Sequence, residues 1–475
     1  MLIMDYRKIN FGKADAKDEG CEYPDLLING YLDATGVIDL ALYKSTFLFL
    51  GYKGAGKTAL LEHIRLTGAK YNVFVNDVPL AEFPYKSLAK IIEGVSETEA
   101  KLPIAWDWLL LIYVINSFTR DETLRSNSEW DETLRVLQKV GILPVKNISD
   151  IVSKSAKRSF RVNLLPYFEF AFENDDSIQT ANLTHLVSFL KKILENTTTT
   201  NQHYIIIDGL DEILTSRDIQ YQSIAALVNQ AKTLNIYFRT NNIPIKIIIL
   251  CRTDLFERLP HPNKNKIRQD AAYEFDWFDE SSVADYSHCN LIKLANLRGK
   301  LVYPSLKDIF SELFPPIYEE QPTYQTLLEY TRHTPRDFLQ LLKKIQEYCG
   351  SRTVSVQDIE KGIKKYSMNY FLPEIKDELV GYLDNEQIEK FVNLLSSYRK
   401  REFYLREIRI YAQQNSSYAQ LNLEYIFNIL FECSAIGHLI GMNNLFYIKY
   451  RNRNMCFNPN ERIRLHKGLW KSFTA

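Results

Sequence analysis

Gly51-Tyr52-Lys53-Gly54-Ala55-Gly56-Lys57-Thr58 has the spacing G-x-x-x-x-G-K-[ST], in which each fixed position suits a chain of phosphates. Glycine accepts the backbone angles that turn successive N–H groups towards one anion. Lys57 is long enough to reach β- and γ-phosphates, and the Thr58 hydroxyl is a ligand for Mg²⁺. All eight residues are therefore assigned to phosphate binding, with Lys57 also stabilising charge during transfer. A second group, Ile205-Ile206-Ile207-Asp208-Gly209-Leu210-Asp211-Glu212, ends an apolar run in an acid. Asp208 would hold Mg²⁺, directly or through water. Asp211 or Glu212, about one helical turn further on, would polarise an attacking water as general base. Together the two groups describe metal-assisted transfer of a phosphoryl group to water.

These residues need a strand, a loop and a helix to hold them. Thr46 to Leu50 reads as a buried strand entering the glycine-rich loop, and Thr58 to Leu66 as the helix leaving it, with Leu60, Leu61 and Ile64 apolar. Further strands are expected at Tyr71–Asn76, His203–Asp208, Ile245–Cys251 and Tyr273–Phe275. Strands alternating with helices imply an α/β fold, a parallel sheet covered on both faces, with ligands bound beyond the carboxyl ends of its strands. Arg252 ends the fourth strand. If that strand lies between the loop strand and the acidic strand, Arg252 would face the γ-phosphate and stabilise its charge. His333-Thr334-Pro335-Arg336 opens a helix, with Pro335 at its first position, and Arg336 would point back towards bound phosphates. Arg258, Lys266 and Arg268 could reach a neighbouring subunit's nucleotide.

The chain has 475 residues and a formal net charge of zero, so nucleic acid could be held only by a local patch. Its six cysteines lie far apart with no C-x-x-C pair, which argues against a metal site or disulfide framework and for a reducing compartment, the cytoplasm. No apolar run is long enough for a membrane span, and the N-terminus lacks the pattern of a signal peptide. Four parts are expected: a leader over 1–44, helical in Asp25–Tyr43; a core over 45–284 with a helical insertion at about 85–200; a helical lid over 285–384; and a last domain over 385–475. Lys154, Lys157, Arg158 and Arg161 form a small basic cluster, read as a solvated helix face. No nuclease, protease or deaminase constellation is visible.

The phosphate loop, the acidic strand, Arg252 and the Pro335-Arg336 helix start, in this order, resemble P-loop ATPases with an added central strand. These include the AAA+ class, especially its origin-recognition-like branch, and the STAND and KAP-like NTPases. Asp208-Gly209-Leu210-Asp211-Glu212 is similar to the STAND form. It departs from the usual AAA+ form, in which a glutamate directly follows the aspartate, so the base stays open between Asp211 and Glu212. The resemblance implies ATP, since no guanine-specific N-K-x-D strand end is present and Asn263-Lys264-Asn265-Lys266 lacks the aspartate. In related folds a leader packs beside the adenine. The Asn10-Phe11-Gly12 leader resembles that of bacterial P-loop ATPases among which some families contain members serving in phage defence.

Residues 385–475 carry 13 Lys and Arg against seven Asp and Glu, a net +6 in an otherwise balanced chain. Three helices, Ile388–Tyr398, Tyr404–Gln413 and Leu423–Ile436, precede a hairpin of Leu445–Tyr450 and Met455–Phe457 joined by an Arg451–Asn454 turn. That order resembles a winged helix. Arg451 and Arg453 could meet DNA from the wing. The third helix, which should enter the major groove, carries Glu424 and Glu432 and no cation, so contact with a protein is the favoured role. The sequence thus describes an ATP-hydrolysing switch that acts on a partner or effector protein, with a homo-oligomer allowed. The alternative is an ATP-dependent DNA clamp of origin-recognition type.

Overall fold

The computed structural model describes residues 4–80, 83–88, 91, 98–156, 182–210, 218–260, 263–278 and 288–473. The chain divides into two compact units, one of Thr35–Gly51 and Leu60–Glu274, the other of Met1–Ala34, Tyr52–Ala59 and Phe275–Ala475.

The first of these is built on a five-stranded sheet: β1 (Leu48–Gly51), β2 (Val73–Pro79), β3 (Gln202–Asp208), β4 (Ile245–Arg252) and β5 (Ala272–Glu274). Every pairing is parallel, and the order is β2-β3-β4-β1-β5. β4 therefore lies between β1 and β3, with Leu48 opposite Ile249 on one side and Ile207 opposite Ile249 on the other. This is the added central strand, and the fold is the expected α/β one. β1 is buried throughout, and β3 and β4 nearly so, because helices cover both faces of a parallel sheet. The one lysine in the β4 run has a structural reason. Lys246 Nζ donates to the carbonyls of Leu40, Ala41 and Lys44 at 3.1, 2.6 and 2.7 Å, closing the carboxyl end of the helix Val37–Tyr43.

Between β2 and β3 the insertion contributes helices Thr98–Phe118, Ser128–Lys139, Ile148–Ser155 and Asn182–Glu195. Trp106 and Trp108 are fully buried there, and each indole N–H is satisfied: Trp106 by the Ser223 carbonyl at 2.9 Å and Trp108 by Ser155 Oγ at 3.0 Å. Of the small basic cluster, Lys157, Arg158 and Arg161 lie outside the described residues. Lys154 pairs with Asp150.

The second unit has its own core, running from Tyr6, Ile9 and Phe11 through the lid to Phe473. The leader is tied to the lid: Tyr6 Oη donates to the Leu342 carbonyl at 2.8 Å, and Gln346 Nε2 to the carbonyls of Tyr6 and Ile9 at 2.7 and 2.8 Å. Arg298 Nη2 donates to Glu19 Oε1 at 2.7 Å. The expected helix over Asp25–Tyr43 is two helices, Pro24–Ile28 and Val37–Tyr43, with Gly36 at φ +71° before the second. The lid consists of helices Asn290–Val302, Ile309–Leu313, Thr323–Glu329, Pro335–Gln346 and Val356–Tyr366, with a short antiparallel pair, β6 (Ile317–Tyr318) and β7 (Gln321–Pro322). A π-helical turn, Ser367–Phe371, then leads into the helix Leu372–Leu379.

From residue 385 the order is helix Asn385–Tyr398, β8 (Glu402–Phe403), helix Leu405–Gln413, helix Leu423–Glu432, β9 (Ile436–Ile440), β10 (Leu445–Tyr447) and β11 (Arg462–Leu465). The strands form an antiparallel sheet in the order β10-β9-β11-β8. The expected hairpin is corrected. Ser434 at φ +58° stops the third helix early and frees Ile436–Ile440 to be a strand. Leu445–Tyr447 pairs back onto that strand, and Met455–Phe457 is no strand. Among the described residues no helix is long and apolar enough to cross a membrane.

Candidate nucleotide-binding site

β1 ends at Gly51, where the glycine-rich loop begins, and the helix Lys57–Thr67 follows it. Gly54 and Gly56 have φ of +81° and +97°, so both fixed and variable glycines of the pattern are used for backbone angles that other residues avoid. A Cβ on Gly54 would lie 3.1 Å from Arg336 Cβ and 3.2 Å from Thr334 Oγ1, whereas one on Gly56 would meet no described atom within 4 Å. The loop is thus packed on one side and open on the other. The carbonyls of Gly54 and Ala55 bond to residues outside the loop, and that of Tyr52 closes the turn on the loop itself. Tyr52 O accepts from Ala55 N at 3.1 Å and from Lys57 Nζ at 3.3 Å, Gly54 O from Arg336 N at 3.4 Å, and Ala55 O from Trp277 Nε1 at 2.9 Å. Peptide groups oriented in this way, ahead of a helix N-terminus, fit a phosphate chain. Lys57 is 4 % exposed, and Thr58 stands in the first turn of the helix. Lys53, the second variable residue, forms an ion pair with Glu374 at 3.2 Å.

At the sheet edge where β1 delivers the loop, β3 ends in Asp208 and β4 in Arg252. Asp208 is buried, and its Oδ1 accepts the N–H of Gly209 at 2.8 Å. An acid at this place suits a divalent cation. Among the described residues there is no cluster of three or more His, Cys, Asp or Glu. Asp211 and Glu212 lie outside the described residues. Arg252 is not presented as an unpartnered cation. Its Nε and Nη2 each donate to one oxygen of Asp254, both at 2.8 Å, and both side chains are nearly buried. Of the three cations considered for a neighbouring subunit, Arg268 is held by Glu257 and Glu274.

Arg336 lies at the start of the helix Pro335–Gln346, capped by Thr334. No hydrogen bond or ion pair engages its guanidinium among the described residues, and its backbone touches Gly54. The preceding Arg332 is buried with Asp337, donating through Nε and Nη2 at 2.8 and 3.0 Å, and Tyr370 Oη adds a third bond at 2.9 Å. Burial alone would raise the Asp337 carboxyl, but Arg332 outweighs it and holds the group low.

Arg451 and Arg453 do not face outward as a wing reading requires. Arg451 Nη2 donates to His333 Nε2 at 2.6 Å and lies over Phe278, and Arg453 donates to the Phe275 carbonyl at 2.9 Å and pairs with Asp276 at 3.1 Å. Aromatic faces and a buried imidazole hold them inside the unit. The sequence reading missed Trp277, Glu374 and Tyr450 around the loop, because none belongs to a spaced motif.

One arrangement in the sheet unit imitates a hydrolase. Ser117 Oγ lies 2.7 Å from His203 Nδ1, and His203 Nε2 lies 3.0 Å from Asp121 Oδ2. Ser117 and His203 are fully buried, and Asn76 Nδ2 donates to the same serine oxygen at 2.6 Å. No substrate carbonyl can reach that hydroxyl, so the trio is a structural lock at the start of β3.

Residues 290–372 match the family profile of the FunZ-associated C-terminal helical domain, a span that lies within the lid and contains Arg336. No curated protein matches the sequence. Among solved structures the chain is similar to the Orc1 protein of Aeropyrum pernix in complex with DNA, at 12% identity and a TM-score of 0.38, covering 95% of this chain and 94% of that one. It is also similar to Cdc6p of Pyrobaculum aerophilum, at 12% identity and a TM-score of 0.31, covering 96% and 93%.

Proposed function

We propose that this protein is a Mg²⁺-dependent P-loop ATPase that works as a molecular switch. The observation that carries the reading is the loop. Gly54 and Gly56 take positive φ, the carbonyls of Gly54 and Ala55 point into packed structure, and the open side precedes the helix that starts at Lys57. In this reading Lys57 and the loop amides hold the β- and γ-phosphates of ATP. Thr58 and Asp208 hold Mg²⁺, which neutralises phosphate charge when bound. Asp211 or Glu212 polarises the water. Arg336, beside Gly54 and without an ion pair among the described residues, reads the γ-phosphate. Arg252 would contribute only after leaving Asp254, and that tight pair favours a structural role.

The nucleotide state would set the position of lid and C-terminal domain and so expose or hide a surface for a partner protein. The order helix, strand, helix, helix and three strands supports a winged helix for residues 385–475. Because Arg451 and Arg453 are engaged within the unit, a protein contact is favoured over the DNA clamp. A reducing cytoplasm is the compartment we infer from six cysteines spaced far apart in the sequence. Bacterial phage defence is the biological setting we infer, with homo-oligomers as an assembly to test.

The test is MgATP turnover by wild type, Lys57→Ala and Glu212→Gln, with and without duplex DNA. Turnover lost in Lys57→Ala, and lost in Glu212→Gln with ATP still bound if Glu212 is the base or kept there if Asp211 is, with no effect of DNA, is the expected result. Turnover that appears only with DNA would replace the switch by the clamp. Equal turnover in Lys57→Ala would remove the assignment of the loop.

A further inference from the structure

Tyr52, the first variable residue of the loop, is buried against the C-terminal domain. Its ring stacks on Tyr450 with centroids 3.9 Å apart and planes 13° from parallel, and both residues are only 5 % exposed. The Arg453 guanidinium lies 5.8 Å from the Tyr52 ring, fixed by Phe275 O and Asp276. Tyr450 is itself positioned: its N–H donates to Ser434 Oγ at 2.9 Å, and Arg332 lies 5.7 Å from its ring. Ser434 is the residue at φ +58° that ends the helix Leu423–Glu432. The stack therefore runs back to the body of the C-terminal domain.

Tyr52 is also the hinge of the loop. Its carbonyl accepts both Ala55 N and Lys57 Nζ, so the direction of that one peptide group fixes the turn and parks the lysine. A side chain held by stacking, on a residue whose carbonyl closes the turn, leaves the loop few alternatives. We propose that Tyr450, with Arg453, is a positioning residue for the phosphate loop: the C-terminal domain presets the loop for phosphate through the Tyr52–Tyr450 stack. The stack preorganises the loop, and a group bound by a preset loop loses less entropy than one that must order it. Its consequence for nucleotide rests on the ATP reading above. The clamp on the loop itself does not.

Two measurements on the full chain separate these. Amide hydrogen exchange of the peptide spanning 51–58, without nucleotide, reports the clamp. MgATP affinity by titration calorimetry reports its effect on binding. Tyr450→Ala is expected to speed exchange in that peptide and weaken MgATP about 2- to 10-fold, the range of one aromatic pair. Tyr450→Phe keeps the stack and should match wild type in both. Tyr52→Ala combined with Tyr450→Ala should lose no more affinity than Tyr52→Ala alone. Unchanged loop exchange in Tyr450→Ala, or losses that simply add in the double variant, would overturn the proposal. If the wild type binds no MgATP, the ATP reading fails. The clamp then stands on faster exchange with rescue by phenylalanine and falls without it. Should Tyr450→Ala not fold, Arg453→Ala, which removes the second contact on Tyr52, takes its place: faster exchange in the 51–58 peptide supports the clamp, and unchanged exchange overturns it.

Discussion

Gly54 and Gly56 are both glycines at positive φ, yet their surroundings differ, and substitution should separate them. Alanine at either position costs about 1–2 kcal/mol of backbone strain. At Gly54 the new methyl also presses on Arg336 and Thr334, so Gly54→Ala should lower the melting temperature more than Gly56→Ala. At Gly56 the methyl enters open space on the side where phosphate would lie. Gly56→Ala should therefore lose most MgATP binding while melting within a few degrees of wild type. Thermal melts beside calorimetric titrations check both, and equal melting temperatures would contradict the packing argument. The loop was legible in the sequence because its chemistry demands a backbone that only glycine provides. The partners of arginines were not. Asp254 stands two residues from Arg252, but sequence alone does not say that they pair, nor that Arg451 turns inward to His333 rather than outward to solvent. Arginine suits either setting, and the choice is made by aromatic faces contributed from far along the chain.

Strands were the easiest elements to read, since β3 and β4 are apolar through their centres and of the length a buried parallel strand needs. What the sequence left unstated was why a lysine sits in one of them. Lys246 supplies a donor to three carbonyls at the end of the helix Val37–Tyr43. Lys246→Met preserves the length and the apolar stem but leaves the part-buried carbonyls of Leu40 and Ala41 without this donor. It should cost about 1–3 kcal/mol, seen as a melting temperature lower by several degrees, and a neutral result would show that water replaces the amino group. The C-terminal strands were misread for a comparable reason. Ile436–Ile440 continues the apolar texture of the helix before it, and only the positive φ of Ser434 separates the two. A single residue's backbone angle carries little signal in composition or periodicity.

At the scale of the molecule, four buried histidines are held neutral. Burial, with Arg451 and Arg332 nearby, pushes His466 down from 6.5 to about 3. Burial likewise lowers His333, with Arg451 adding to it, and lowers His203 and His438. Each of these groups binds a proton more readily in the unfolded chain. The stability they contribute is complete above 6.5 and is lost as pH falls below it, at about 1.4 kcal/mol per pH unit for His466 down to its folded value. Melting temperature should fall between pH 6.5 and 5.5, and His466→Asn should flatten part of that slope. A melting temperature that stays level to pH 5.5 would mean these imidazoles are not buried neutral.

The unit that contains the phosphate loop is assembled from three separated stretches of chain, the last of which begins at Phe275. A ribosome makes the leader first and its partners last. Tyr6 meets Leu342 and Gln346, and Tyr52 meets Tyr450, only after most of the polypeptide has emerged. At about 5–20 residues per second, that stretch takes on the order of ten to forty seconds to synthesise. The strands from β1 to β5 can find one another during that interval, whereas the loop must wait. A nascent chain not yet translated past Tyr450 would thus carry a formed sheet and an unset loop, and the ability to hold nucleotide would mark a chain in which the Tyr52–Tyr450 stack has closed.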